Sequence, residues 1–186
     1  MTREFGLAAF GIVWSILLAV AVLGQVMWRH GAPRREAGVA VDFLVFIPFI
    51  LVFALASLPS HVGRFEGNAL VLATGAAAAG AGLALYLMSH VYLRGNWSIS
   101  ASVVQGQELI TTGLYSRVRH PMYSSMVIIT LGSGILIDNY LVIAAAVPVA
   151  AVYYLRARRE EELLAQEFPR YLEYARKTRA FVPGIF

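Results

Sequence analysis

Long apolar stretches, separated by short polar connections, organise this chain. Five such stretches can be read along it, at 5–28, 39–58, 69–93, 122–137 and 140–155. About 20 apolar residues cross the hydrocarbon core of a bilayer, so the first three stretches are long enough to span it. The alternation that is typical of a half-buried strand is weak throughout. The pattern predicts an all-α integral membrane protein with five transmembrane helices.

The last two stretches are shorter, and only Asp138 and Asn139 separate them. Both residue types favour turns, so the two stretches are predicted to form a helical hairpin whose open ends return to one membrane face. Pro121 suits the first position of a helix, because its fixed φ fits and its missing N–H is not needed there. The run at 156–168 contains good helix formers and ends before Pro169. It predicts an amphipathic helical tail after the hairpin.

Composition agrees with a membrane protein. The chain is 59% hydrophobic and 14% charged, with a mean hydropathy of +0.67. It has no cysteine, which excludes disulfides, thiolate metal ligands and a cysteine nucleophile. The net charge of +4 could suggest nucleic acid, but the basic residues lie between apolar segments and in a mixed Arg/Glu tail. Membrane orientation explains that placement better, so we expect membrane lipids as partners and no nucleic acid.

The basic residues are unevenly distributed across the predicted connections. If all five stretches span, the connections 29–38 and 94–121 share a side with the tail after 155. That side holds 13 of the 15 basic residues, and the other side holds only Arg3 and Arg64. Cytoplasmic loops carry the excess of Lys and Arg, so the imbalance predicts an external N-terminus and a cytoplasmic tail.

The stretch GLYSRVRHPMY at 113–123 places two arginines and His120 against the start of the hairpin. An arginine at the centre of a bilayer costs about 2.5 to 3.5 kcal/mol, so such cations stay near water, a headgroup or a ligand. Because the hairpin goes out and returns, His120 and Arg156 should meet at one boundary. Arg156 and Glu160 are four residues apart on a helix and can pair or hold a ligand between them.

Simpler interpretations of these residues remain open. His120 could cap a helix or lie among headgroups, and Arg156 could be an interfacial anchor. Three further carboxylates, at Glu161, Glu162 and Glu167, fit a solvated or salt-bridged charge run. The four histidines are dispersed and lack the spacing of metal ligands, and nothing resembles a nucleophilic triad.

Four motifs in order give the chain a family resemblance. They are NWS at 96–98, LITTGLYSRVRHPMY at 109–123, RARREE at 156–161 and FPRYLEY at 168–174. Together they resemble the isoprenylcysteine carboxyl methyltransferase family, whose bacterial and archaeal members share this arrangement with the related phospholipid N-methyltransferases. The resemblance implies a prokaryotic inner-membrane or plasma-membrane enzyme. It also implies binding of S-adenosylmethionine at the cytoplasmic end of the hairpin, with S-adenosylhomocysteine as the product.

The resemblance also implies a role for each residue of the site. One membrane domain, 1–186, would hold three helices in 1–93 and the cofactor loop, hairpin and tail in 94–186. Arg156 and Glu160 would be catalytic, with Arg156 facing the substrate carboxylate and Glu160 also contacting the cofactor. The other implied cofactor positions are Gln107, Glu108, Leu109, Ile110, Tyr115, His120, Pro121, Met122 and Tyr123.

Three functions are consistent with these residues. Methylation of a carboxylate removes no proton and needs only positioning and exclusion of water, for which an arginine beside an acidic residue suffices. We therefore predict O-methylation of a prenylated or lipid-like acid. A phospholipid N-methyltransferase would need a neutral amine, and so a proton acceptor rather than an arginine at the acceptor site. A non-catalytic membrane sensor or scaffold is the third possibility.

Overall fold

The computed structural model describes residues 2–27, 33–36, 45–59, 61–96, 102–104 and 106–184. The helices within these ranges are α1 Thr2–Met27, α2 Ile47–Ala56, α3 Ala69–Leu93, α4 Pro121–Leu136, α5 Tyr140–Ala144, α6 Ala146–Glu167 and α7 Tyr171–Lys177. Short 3₁₀ turns cover Arg94–Asn96 and Gly113–Ser116, and two strands are β1 Pro33–Glu36 and β2 Ser102–Val104. Residues 39–44 of the second predicted stretch and Trp97 of the first motif lie outside the described residues.

Three segments of the described chain are long and apolar enough to cross a membrane. They are Glu4–Gly24, Ala69–Leu93 and Tyr140–Glu167. The helices Ile47–Ala56 and Pro121–Leu136 are apolar but shorter. The protein is therefore a helical, multi-pass membrane protein, while the count of five spanning helices stays a prediction.

The hairpin begins and turns where the sequence predicts. Pro121 occupies the first turn of α4. At the far end Asp138 adopts a positive φ of 53°, and the Asn139 side-chain oxygen accepts hydrogen bonds from the backbone N–H groups of Leu141 at 2.9 Å and Val142 at 3.3 Å. These bonds satisfy free N–H groups at the start of α5. Both predictions about the hairpin are confirmed.

Small residues let α3 and α4 pack closely. A Cβ added at Gly75 would lie 2.6 Å from the backbone nitrogen of Leu136, and one added at Gly132 would collide with the backbone of Ala79. Such contact is the usual role of small residues between membrane helices. The small-residue patch at 75–82 therefore serves helix packing.

Trp14 connects the outer helices to the hairpin. Its side chain is 1% exposed and donates a hydrogen bond from Nε1 to Ser133 Oγ at 2.9 Å. Its ring makes edge-to-face contacts with Phe49 at 5.2 Å and Phe53 at 5.7 Å, both on α2. One aromatic cluster thus joins α1, α2 and α4.

A short antiparallel ribbon is added to the helices. Strand β1 follows α1 and pairs with β2, which precedes the 107–110 segment. Backbone pairing here satisfies N–H and C=O groups that no helix takes up. The ribbon links the first connection to the segment that leads into the hairpin.

Candidate functional site

A cavity of about 1400 Å³, counting the open space at its mouth, lies where α4 begins and α6 leaves its apolar half. Ten of the predicted site residues line it: Gln107, Glu108, Leu109, Ile110, Tyr115, His120, Met122, Tyr123, Arg156 and Glu160. Pro121 begins α4 and is not among the lining residues. The fold thus brings together residues that are more than forty positions apart in sequence.

Arg156 is the central charge of this cavity. It is 1% exposed, and its Nε donates hydrogen bonds to the Tyr123 hydroxyl at 2.8 Å and to Glu160 Oε1 at 3.1 Å. The Tyr123 hydroxyl in turn donates to the same Glu160 oxygen. A buried charge is tolerated when it is paired and its partner is further hydrogen-bonded, which this three-residue cluster achieves. The contact between Arg156 and Glu160 depends on their four-residue spacing along the helix, which is visible in the sequence.

His120 lies between the hairpin and the C-terminal tail. Its ring is 7% exposed and stacks on Tyr123, with ring centroids 5.4 Å apart, while Phe181 lies at 5.7 Å. Its Nε2 is 3.1 Å from Glu161 Oε1, and its Nδ1 is 3.8 Å from Glu160 Oε2. Both His120 and Arg156 therefore approach Glu160, and this joins the two ends of the hairpin.

An ion pair between Arg119 and Glu161 supports the site from behind. Arg119 Nε donates to Glu161 Oε1 at 2.7 Å, and its Nη1 donates to the carbonyls of Ala175 at 2.9 Å and Thr178 at 2.7 Å. Sequence reasoning assigns Glu161 only to a charge run. The sequence signal that could have identified Glu161 is its position directly after Glu160. Neighbouring helix positions point about 100° apart, so the two carboxylates reach different partners.

Tyrosines from the tail and from α6 complete the wall, and sequence reasoning does not single them out. Tyr174 donates its hydroxyl to the Tyr115 carbonyl at 2.7 Å. Burial raises the pKa of Tyr174 to about 12, so the phenol stays protonated and remains a donor at neutral pH. Tyr153 stacks on Tyr123 with ring centroids 4.7 Å apart. Tyr171 also lines the cavity. The tail is thus part of the site, and the spacing of the FPRYLEY motif is its sequence signal.

The segment that precedes the hairpin is fixed at its start. The Glu108 backbone N–H donates to Asn96 Oδ1 at 2.9 Å. Asn96 opens the NWS motif and ends the turn after α3. This bond ties the 107–110 segment, where four predicted cofactor positions lie, to the end of a spanning helix.

Several known proteins are similar to this chain. The cobalt-zinc-cadmium resistance protein CzcN of Cupriavidus metallidurans is 32% identical over 140 residues, which cover 73% of this chain and 61% of that protein. Protein-S-isoprenylcysteine O-methyltransferase B of Arabidopsis thaliana is 38% identical over 80 residues, covering 42% and 41%. The chain thus spans less than two thirds of the length of these curated relatives.

The fold resembles a solved structure, that of the eukaryotic intramembrane Ras methyltransferase ICMT. The TM-score is 0.65 at 16% identity, over 100% of this chain and 68% of that one. At that identity the likeness concerns the fold alone. The profile of the family described as phospholipid methyltransferase matches residues 69–170, more than half of the chain. That segment includes α3, the connection that lines the cavity, and both arms of the hairpin, so this chain belongs to the phospholipid methyltransferase family.

Proposed function

We propose that this protein is an S-adenosylmethionine-dependent membrane methyltransferase that forms a methyl ester on a prenylated or otherwise lipid-like carboxylic acid. The observation that carries the proposal is the cluster that the buried Arg156 forms with Glu160 and Tyr123 on the cavity wall. It combines a fixed guanidinium with a carboxylate in a site that is otherwise largely apolar. Family membership and the similarity to the Arabidopsis enzyme support methyl transfer.

The residues of the cavity fit the proposed cofactor. Glu160 offers a carboxylate to a positive group, while Tyr115 and the apolar positions Leu109 and Ile110 offer surface to a flat ring system. These residues and His120 would hold S-adenosylmethionine. When bound, it supplies a methyl group activated by a positively charged sulfur.

An acidic, lipid-like acceptor fits the same cavity. Besides Arg156, the cavity is lined by apolar residues from α1 and from the start of α2, among them Leu18, Phe46 and Phe49. A guanidinium aligns a carboxylate through charge-assisted hydrogen bonds, and an apolar wall favours a hydrocarbon chain. Arg156 is 1% exposed, so its bond to a bound carboxylate would be shielded from water, and the chain would contribute orientation and desolvation rather than a base.

N-methylation of a phospholipid amine is the second candidate, and the description of the family favours it. That reaction needs a group that takes a proton from an ammonium before or during transfer. The Glu160 carboxylate, which accepts a hydrogen bond from the Tyr123 hydroxyl, lines the cavity and could serve as that proton acceptor. The two candidates differ in the role of Arg156, which would help a carboxylate but repel an ammonium headgroup.

Calorimetric titration with S-adenosylhomocysteine tests the cofactor assignment. We expect the purified protein to bind it, and we expect His120→Ala and Glu160→Ala to weaken binding while the protein remains folded. Glu162→Ala is the matched control, because the Glu162 side chain is 52% exposed and pairs with Arg159 instead. Absence of binding to a well-folded parent protein would contradict the enzyme assignment.

A further inference from the structure

A second cleft lies behind the ion pair that supports the site. It runs between α6 and the tail segment 175–181, and it shares Arg119 with the first cavity. The cleft encloses about 790 Å³, counting the open space at its mouth. It lies beside the middle of α6, where the helix passes from apolar residues to charged ones.

The cleft carries an excess of positive charge. Arg119 and Glu161 line it and neutralise each other at 2.7 Å. Arg158 and Arg179 also line it, and both are exposed. Among the described residues neither of these two forms an ion pair. Two guanidiniums therefore face the cleft without a carboxylate partner in this part of the chain.

Two aromatic rings lie beside these arginines. Tyr154 is 44% exposed, and its ring centroid is 6.2 Å from that of Phe181. Tyr154 and Arg158 are four residues apart on α6, so they share one face of the helix. On the tail, Arg179 and Phe181 likewise combine an arginine with an aromatic residue. An aromatic ring at the apolar side and an arginine at the water side is the usual order at a membrane interface.

Backbone bonds hold the tail side of the cleft in place. The Arg179 carbonyl accepts from the Arg119 N–H at 2.8 Å, and the Arg179 N–H donates to the Arg117 carbonyl at 3.1 Å. The Phe181 carbonyl accepts from the Ser124 hydroxyl at 2.7 Å. The cleft is thus formed before any ligand arrives, which reduces the entropy cost of binding.

We propose that this cleft binds the phosphodiester headgroup of an anionic glycerophospholipid, which is a bound lipid and not the methyl acceptor. Arg158 and Arg179 hold the phosphate, because guanidiniums match its oxygens in bidentate geometry. Tyr154 and Phe181 pack against the glycerol and the first part of the acyl chains. Basic pockets between elements at the cytoplasmic side of a membrane protein suit such headgroups, and the basic-residue imbalance predicts that this end lies on that side.

Native mass spectrometry of the full chain in detergent, titrated with dioleoylphosphatidylglycerol or with dioleoylphosphatidylcholine, tests the proposal. We expect retention of phosphatidylglycerol but not of phosphatidylcholine. Arg158→Gln and Arg179→Gln should each weaken retention about fivefold, and the double variant more than tenfold. Arg159→Gln is the matched control, because it removes the same charge from the neighbouring position, where Arg159 pairs with Glu162 at 3.0 Å.

Three outcomes would overturn the proposal. They are equal retention of the two lipids, a double variant that binds like the parent, and an Arg159→Gln loss as large as that of the cleft variants. Inorganic phosphate alone, if it raises the melting temperature as much as phosphatidylglycerol does, would reassign the cleft to a free anion. Unchanged S-adenosylhomocysteine binding would show that the double variant is folded. If the double variant does not fold, retention of phosphatidylglycerol by the two single variants decides the outcome.

Discussion

At the scale of single residues, the site depends on a buried arginine that cannot move far. Arg156 is held by Tyr123 and Glu160, and Tyr123 is itself stacked between His120 and Tyr153. Each partner limits the rotamers of the next, so the guanidinium keeps one position and one orientation. Pre-organisation of this kind matters most for a reaction that relies on alignment rather than on a base.

Replacing Arg156 by Lys tests the role of that orientation. Lysine keeps the charge but lacks the planar fork, so we expect methyl transfer to prenylcysteine analogues to fall while S-adenosylhomocysteine affinity changes little. One charge-assisted bond lost in the transition state costs about 1.5 to 3 kcal/mol, which corresponds to about tenfold to over a hundredfold in rate.

The same assay separates the two candidate acceptors. Labelled methyl groups are offered with prenylcysteine analogues and, in parallel, with phosphatidylethanolamine, and release by base distinguishes an ester from an amine. Base-stable label on the lipid amine that Arg156→Lys leaves unaffected would favour N-methylation.

Glu161→Gln tests the ion pair behind the site. Its oxygen accepts from Arg119 and lies 3.1 Å from His120 Nε2, so the neutral amide leaves a partly buried arginine less well paired. We expect a loss of about 1 to 3 kcal/mol in the free energy of unfolding, measured by denaturation in detergent. Glu162→Gln should be nearly neutral, because its exposed pair with Arg159 contributes little. Equal effects of the two variants would argue against this structural role.

Residue types with strong local preferences could be predicted from sequence. Pro121 begins its helix, and Asp138 and Asn139 form the turn between the arms of the hairpin, because both properties depend on the neighbouring backbone. The pairing of Arg156 with Glu160 follows from helix periodicity. Glu161 could not be assigned in this way, because its partner Arg119 is 42 residues away and becomes adjacent only when α6 packs beside the start of α4.

At the scale of elements, the contact between α3 and α4 depends on glycine. We expect Gly132→Ala to cost about 1 to 3 kcal/mol of stability, since its Cβ would meet the backbone of Ala79 and the two helices must separate. Gly80→Ala is the matched control, because nothing lies within 4 Å of its added Cβ and alanine favours the helix. Melting temperatures in detergent measure both. A Gly132→Ala protein as stable as the Gly80→Ala protein would contradict close packing here.

The helices follow from apolar length and from helix signals, but the ribbon does not. Strands of four and three residues are too short to show an alternating pattern. Their partners are also far apart in sequence, since Arg35 pairs with Val103. Such pairing is decided by the packing of α1 and α3, which brings the two connections together, and no local preference encodes it.

At the scale of the whole molecule, the basic-residue imbalance makes a prediction about topology. Reporter fusions at position 34 and at the C-terminus should give cytoplasmic signals, and a fusion at position 62 should give an external one. The start of α4 and the charged part of α6 lie at the same end of the fold. The candidate site and the tail should therefore be on the same side of the membrane as the C-terminus. A cytoplasmic signal at position 62 would contradict this arrangement.

Helix α4 has 16 residues, which corresponds to a rise of about 24 Å, against a hydrocarbon core of about 30 Å. Arg119 and His120 precede it directly, and Asp138 follows its end. If α4 spans the bilayer, as the sequence predicts, this mismatch would be relieved by thinning of the bilayer around the hairpin, or by polar groups at one end sitting below the level of the surrounding headgroups. Either arrangement would bring the mouth of the cavity toward the hydrocarbon boundary. The lipid-like acceptor that we propose would then present its polar end to Arg156 while its chain remains dissolved in the membrane.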